Sequence, residues 1–266
     1  MKFRLIPLLV VPLVLISCRT LNKDAANLKI VGGQPVVETD EIVGHTVGLI
    51  WDEQNNRTNG CSGVLVGQRW VLTAAHCFKA AGKVEGLKVT FGTRRDRDPR
   101  LVISAQLFAL FERISSPAPA DMAAFQPQPE DDIALVKLES DAPTESAPAP
   151  IAGEDTDLNP EDLIVIAGFG STQADNPDAG TLRKAVLPLS VVDKESLQLR
   201  FTEHARSVEF KGSCFGDSGG PAFVLKDGKL RVVGVASGGD YRCRERSVYT
   251  DVRSYKSWIL SLISDI

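Results

Sequence analysis

The sequence predicts an all-β protein built as two lobes. Eleven short apolar runs recur with Gly, Asn, Asp and Pro between them, the spacing of a sandwich or a barrel. A Pro-, Ala- and acid-rich stretch, residues 141–160, separates six of these runs from the other five and has the composition of a linker crossing between lobes. Only the last segment has helical spacing: Tyr255, Trp258, Ile259, Leu262 and Ile263 recur every three to four residues within 254–266.

The expected strands of the first half are Val47–Trp51, Val64–Val66, Trp70–Thr73, Leu87–Phe91, Leu101–Ala109 and Ile133–Leu138. Those of the second half are Leu163–Ala167, Ala185–Val192, Pro221–Leu225, Leu230–Ala236 and Ser247–Val252. Each is rich in Val, Ile, Leu or aromatic residues, which fit a pleated, buried surface. Residues 115–129 are Pro- and Ala-rich and are expected to loop out.

Length and composition bound the function. The 266 residues are 43% hydrophobic and 24% charged, enough for one large domain or two small packed lobes. The net charge is −4. The first 29 residues hold five Lys/Arg and one Asp, so the remainder has 25 basic against 33 acidic side chains, about −8. An acidic body argues against nucleic-acid binding. Cys18, Cys61, Cys77, Cys214 and Cys243 form no Cys-x-x-Cys pair, and only Cys77 has an adjacent histidine. A zinc site is not expected, and no metal or other cofactor is.

Residues 1–17 begin Met-Lys-Phe-Arg and continue as an apolar run from Leu5 to Ile16, interrupted by Pro7 and Pro12. A basic start and about a dozen apolar residues make an export signal, too short to span a bilayer, which takes about 20 residues. Residues 18–29 are polar and unpatterned, as in a tether. Residues 30–266 then form the folded domain.

Three motifs point to chemistry. In Gly212-Ser213-Cys214-Phe215-Gly216-Asp217-Ser218-Gly219-Gly220-Pro221, a serine stands among glycines just before an apolar strand. Glycines permit a tight, exposed turn whose backbone N–H groups can face a developing oxyanion. Thr73-Ala74-Ala75-His76-Cys77 places a histidine, the usual general base near neutral pH, after a strand. His45 and His204 have no such setting and read as packed or surface residues. Asp131-Asp132-Ile133-Ala134-Leu135 puts two aspartates before a strand. Asp131 reads as a turn residue and Asp132 as the partner of a histidine.

Together these motifs resemble the chymotrypsin/trypsin-like serine proteases, and the resemblance extends over nearly all of residues 30–266. The order His76, Asp132, Ser218 is that of chymotrypsin and differs from subtilisin and the α/β-hydrolases. The resemblance implies two packed six-stranded antiparallel β-barrels with a C-terminal helix. It implies a serine endopeptidase with His76, Asp132 and Ser218 as triad, and the N–H groups of Gly216 and Ser218 as oxyanion hole. It pairs Cys61 with Cys77 and Cys214 with Cys243, which fits an oxidising, exported setting, and leaves Cys18 over. Leu15-Ile16-Ser17-Cys18 in turn resembles a bacterial lipobox, in which Cys18 carries lipid. Arg19 after it resembles outer-membrane sorting.

Lys29-Ile30-Val31-Gly32-Gly33, by itself only a strand start, resembles the activation site of the same family. Cleavage after Lys29 by a trypsin-like protease would free an Ile30 ammonium that pairs with Asp217. The expected product is a monomer released from its lipid tether. Ala167-Gly168-Phe169-Gly170, Ser247-Val248-Tyr249-Thr250 and Trp258 extend the likeness. Ser237, Gly238 and Gly239 align with the segment that pairs with substrate backbone, and Ser237 is expected to touch Asp132.

The departures concern specificity. Cleavage after Lys or Arg requires Asp six residues before the nucleophile, where this chain has Gly212 followed by Ser213. With Gly239 and Ser247 as walls, the pocket is small-walled and uncharged, suited to Phe, Tyr, Leu or Met. Arg242, Arg244 or Arg246, if turned inward, would favour acidic side chains instead. Gly238 stands where the family has Trp, so the adjacent subsite is poorly walled. The rival reading is a catalytically dead homologue acting as a binding module, but the triad and glycine loop are intact.

Overall fold

In the computed structural model, residues 30–51, 60–81, 85–95, 102–111, 131–174, 179–202 and 211–263 are described. The export signal, the tether with Cys18 and Lys29, the 115–129 loop and His204 lie outside them. Chain order is β1 Gln34–Pro35, α1 Glu41–His45, β2 Thr46–Trp51, β3 Gly60–Gly67, β4 Trp70–Thr73, α2 His76–Ala81, β5 Leu87–Thr90, β6 Val102–Phe111 and β7 Ile133–Leu138. The second half follows as β8 Leu163–Gly168, β9 Arg183–Pro188, β10 Val191–Asp193, β11 Gln198–Thr202, β12 Pro221–Lys226, β13 Lys229–Gly239, β14 Arg246–Asp251 and α3 Lys256–Ile263. A 3-10 turn over Val252–Tyr255 leads into α3.

Strands β2-β3-β4-β7-β6-β5 close into a six-stranded antiparallel barrel. The second lobe is a sheet in the order β1-β9-β8-β12-β13-β14-β11-β10. It therefore has eight strands rather than six, because two short pieces extend it. β1, at the start of the domain, reaches across to pair with β9, and β10 forms a hairpin with β11. The all-β chymotrypsin-like fold expected from the sequence is the one observed.

The apolar runs are continuous because several strands are buried on both faces. Successive side chains of a strand point to opposite sides. In β3, β4 and β7, Leu65, Val71, Ala134 and Val136 fill the barrel with Val47, Leu49, Leu87 and Val89. Their neighbours Val64, Leu72, Ile133 and Leu135 face outward and meet Phe169, Phe223, Val232 and Val235 of the second lobe. The second lobe has its own core of Ile164, Ile166, Leu187, Leu199, Phe201, Val224, Val233 and Tyr249. Each such aliphatic or aromatic side chain contributes about 1.5–3 kcal/mol by leaving water.

The Pro/Ala-rich stretch is the crossing. Its first part is held by the barrel, through Ala142 N–H to the Gln68 carbonyl (2.8 Å) and Ala149 N–H to Leu65 (2.8 Å). Its end joins the second lobe, through Ala152 N–H to Val232 (2.9 Å). Helix α3 lays Ile259, with Trp258, Leu262 and Ile263 beside it, on the apolar seam between the lobes. Asp131 is more than a turn residue: it is buried and accepts the Tyr255 hydroxyl, tying the start of β7 to the terminal segment. His45 is packed, its Nδ1–H donating to the Ala147 carbonyl at 2.6 Å. Tyr255→Phe leaves Asp131 short of a buried donor and should cost about 1–3 kcal/mol. Urea unfolding should show a lower midpoint with an unchanged m-value.

Candidate active site

His76 opens α2 directly after β4, and Asp132 immediately precedes β7, the strand paired with β4. The register Thr73↔Ala134 brings the two loop residues to one end of the barrel. Asp132 is fully buried. Its Oδ1 accepts the His76 backbone N–H at 2.8 Å, and its Oδ2 lies 2.6 Å from His76 Nδ1. A carboxylate can only accept here, so Nδ1 carries the proton and Nε2 is left as a basic lone pair. The second lobe completes the cradle. Ser237 Oγ donates to Asp132 Oδ2 at 2.7 Å, and Thr250 Oγ1 to the Asp132 carbonyl at 3.1 Å. A bulge in β13 between Ala236 and Gly238 gives Ser237 its place.

Ser218 sits between two tight turns. Asp217 N–H donates to the Cys214 carbonyl (3.0 Å) and Gly220 N–H to Asp217 (2.7 Å). Gly216 and Gly219 take left-handed backbone angles, φ +93° and +78°. A Cβ on Gly219 would fall on Thr73 Oγ1 and lie 2.8 Å from Ala74 N, so glycine alone lets the loop press against the segment leading to His76. The Ser218 carbonyl accepts Ser62 N–H at 2.8 Å, and Gly219 N–H donates to Ala236 at 2.7 Å. The serine is thus fastened to both lobes beside the His76–Asp132 pair. Two disulfides brace the ends: Cys61–Cys77, with Cα atoms 6.4 Å apart, behind the histidine, and Cys214–Cys243, 5.2 Å apart, beside the serine loop.

The segments flanking the serine are built from small residues. Gly212 and Ser213 are buried, and Gly212 N–H donates to the Val31 carbonyl at 3.2 Å. Ser213 N–H donates to Ser247 Oγ at 2.9 Å. Ser247 is buried at the start of β14 opposite Gly239. β12 pairs with β13 only as far as Val235, so among the described residues no strand covers that edge of Ser237, Gly238 and Gly239. Sequence reasoning placed Tyr249 in the Ser247–Thr250 motif but gave it no role; its ring is buried and its hydroxyl bonds Ser213. Sequence reasoning also missed the exposed, edge-on pair Phe215 and Tyr241, 5.6 Å apart beside the serine loop.

Asp217 is buried and accepts N–H groups from Gly170 and Cys214 at 2.8 and 2.9 Å. Burial pushes its carboxyl up to about 6, against the pull of these two bonds and of Arg95 and Arg183. Gly168 and Gly170 leave it room, since a Cβ on either would collide with the carboxylate. Ile30 is buried beside Ile164, Ile166 and Ala185. Among the described residues no cluster of three or more His, Cys, Asp or Glu side chains is placed to hold a metal. No helix among them is long and apolar enough to cross a membrane.

A buried carboxylate orienting a histidine, next to a serine on a glycine-built turn, is the arrangement of a serine hydrolase. The comparisons narrow the class. The trypsin family model matches residues 30–259, and the chain belongs to that family of serine proteases. It is 31% identical over 227 residues to the calcium-dependent serine proteinase of Mesocricetus auratus, covering 76% of this chain and 32% of that protein. It is 29% identical over 259 residues to granzyme M of Rattus norvegicus, covering 88% of this chain and 89% of the granzyme. The chain thus spans about a third of the first relative and most of the second.

The raised Asp217 carboxyl has a pH signature. Its folded value, about 6, exceeds the ordinary 3.8, so the folded state holds the proton more tightly than the unfolded one. That stability is fully present below about pH 4 and is lost as pH rises through 6. For the chain uncleaved at Lys29, wild type should lose about 3 kcal/mol relative to Asp217→Asn between pH 4 and 7. Guanidinium unfolding of the two proteins at several pH values gives this difference.

Proposed function

We propose that the protein is an active serine endopeptidase, made as a zymogen, that cleaves protein and peptide substrates through an acyl-enzyme. The observation that carries this reading is the fully buried Asp132 carboxylate, which takes His76 Nδ1 on one oxygen and His76 N–H on the other. In the proposed mechanism His76 Nε2 removes the proton of Ser218 Oγ as it attacks the peptide carbonyl. Asp132 holds the tautomer and stabilises the imidazolium. The N–H groups of Gly216 and Ser218 bind the oxyanion. His76 then protonates the departing amine, and water, activated by the same base, clears the ester.

Activation follows from Asp217. A carboxylate this deeply buried is costly when ionised without a cation. Cleavage after Lys29 by a trypsin-like protease would deliver the Ile30 ammonium to it and return its pKa toward the ordinary range, ordering the Ser218 loop. Export, lipid on Cys18 of the precursor and release as a monomer on cleavage complete this reading, with domain boundaries at 17/18 and 29/30.

For specificity, Gly212, Ser213, Gly239 and Ser247 leave an uncharged recess, which favours Phe, Tyr, Leu or Met before the scissile bond. Arg242 and Arg244 are exposed. Ser247 turns toward Ser213, so its strand neighbour Arg246 points to the opposite face. This supports the apolar preference over an acidic one. Ser237–Gly239 would pair with substrate backbone.

Two outcomes are expected. After trypsin treatment, a diphenyl phosphonate should label Ser218 stoichiometrically, and Ser218→Ala should take no label. No adduct on the correctly cut wild type would instead favour a catalytically dead binding module. A peptide-library profile should peak at large apolar residues before the cut, and a profile led by Lys and Arg would contradict the pocket reading.

A further inference from the structure

The Gly216 carbonyl is gripped from the other lobe. It accepts Ser62 Oγ at 2.8 Å and Arg95 Nη2 at 3.1 Å. Ser62, in β3, is fully buried, and its oxygen accepts the Phe169 N–H at 3.0 Å. With that bond received, its own proton is directed at Gly216. Arg95 follows β5 and is 8% exposed. Its backbone N–H donates to Gly180 at 2.9 Å, and Nη2 also donates to the Cys61 carbonyl at 2.9 Å. Its guanidinium lies over the Phe169 ring, 5.5 Å from the centroid. The space is made by glycines: a Cβ on Gly60 would fall on Nη1, and one on Gly48 would lie 2.9 Å from Cγ.

Burying a guanidinium is expensive, and burial lowers the Arg95 pKa to about 10 while Asp217 pulls it back. The group nevertheless stays charged at neutral pH, and its Nη2 bridges two backbone carbonyls. One belongs to Cys61, in β3. The other belongs to Gly216, whose left-handed backbone, at φ +93°, can reorient freely. The Gly216 N–H is useful only if that residue is fixed.

We propose that Ser62 and Arg95 are positioning residues that clamp the Gly216 carbonyl from the first barrel and so hold the Gly216 N–H in place for the oxyanion. This rests on the reading of Ser218 as nucleophile. The clamp works through Gly216 and touches no substrate. Its bonds go to Gly216 and do not wait on cleavage at Lys29, so it acts as a second, permanent support of the loop, although Arg95 also attracts the Asp217 carboxylate.

The test uses the full chain cleaved at Lys29, a chromogenic peptide with Phe before the cut, and active sites counted by exhaustive phosphonate labelling. Ser62→Ala and Arg95→Met should each lower kcat per labelled site about tenfold to hundredfold, short of the 10²–10³ for outright loss of an oxyanion donor, with KM within about twofold. Their effects should be less than multiplicative, since both act on one carbonyl. A purely structural role would reduce the number of labelled sites and leave kcat per site unchanged, and that result would overturn the clamp. If Arg95→Met does not fold, Ser62→Ala decides alone, because it removes one oxygen and no charge. Absence of label on the wild type would instead sink the nucleophile assignment, and the clamp with it.

Discussion

The buried Asp132 carboxylate is the constraint on which the site depends. An ionised carboxylate without water must be met on both oxygens. His76 meets both oxygens from the barrel that carries Asp132, and Ser237 adds a donor to Oδ2 from the other lobe, whose Thr250 holds the Asp132 backbone carbonyl. The carboxylate thus takes donors from both lobes. The apolar seam of Val64, Leu72, Ile133 and Leu135 against Phe169, Phe223 and Val235 supplies the adhesion. Asp132 sets the alignment in which that adhesion produces a usable site.

The same division recurs one loop away. Ser218 and Gly216 belong to the second lobe by sequence, yet their carbonyls accept from Ser62 and Arg95 of the first. Backbone geometry at the serine is therefore set jointly by both lobes. Two buried carboxylates result from this design, and they differ in how they are met. Asp132 has a histidine and a hydroxyl. Asp217 has two backbone N–H groups and more distant arginines, which leaves its pKa raised. That asymmetry fits a fixed catalytic partner in one case and the receiver of a signal in the other.

Much of this was legible in the sequence. Ten of the eleven apolar runs coincide with single strands, because residues buried on both faces leave a continuous apolar signal. The exception, Ala185–Val192, is divided into β9 and β10 at Leu189 and Ser190. β1 and β11 escaped notice. β1 is two exposed residues held only by pairing, and β11 alternates with polar residues. The helix expected over 254–266 appears as Lys256–Ile263 after a 3-10 turn capped by the Asp251 side chain. Motif residues were readable because their spacing is dictated by local turns. Ser62, Arg95 and Tyr249 were not, because their roles arise from contacts with residues 34 to 154 positions away in the chain, such as Arg95 with Cys61 and Gly216 and Ser62 with Gly216, which no local pattern records.

The central claim is that both lobes meet at Asp132 and Ser218 to make a covalent catalyst. Pre-steady-state hydrolysis of an activated p-nitrophenyl ester by the Lys29-cleaved protein tests it most directly, since an accumulating acyl-enzyme gives a burst. The account predicts a burst of about one nitrophenolate per enzyme molecule, absent from Ser218→Ala. A burst of equal size in Ser218→Ala, or none in the wild type while steady turnover proceeds by way of a directly attacking water, would contradict it.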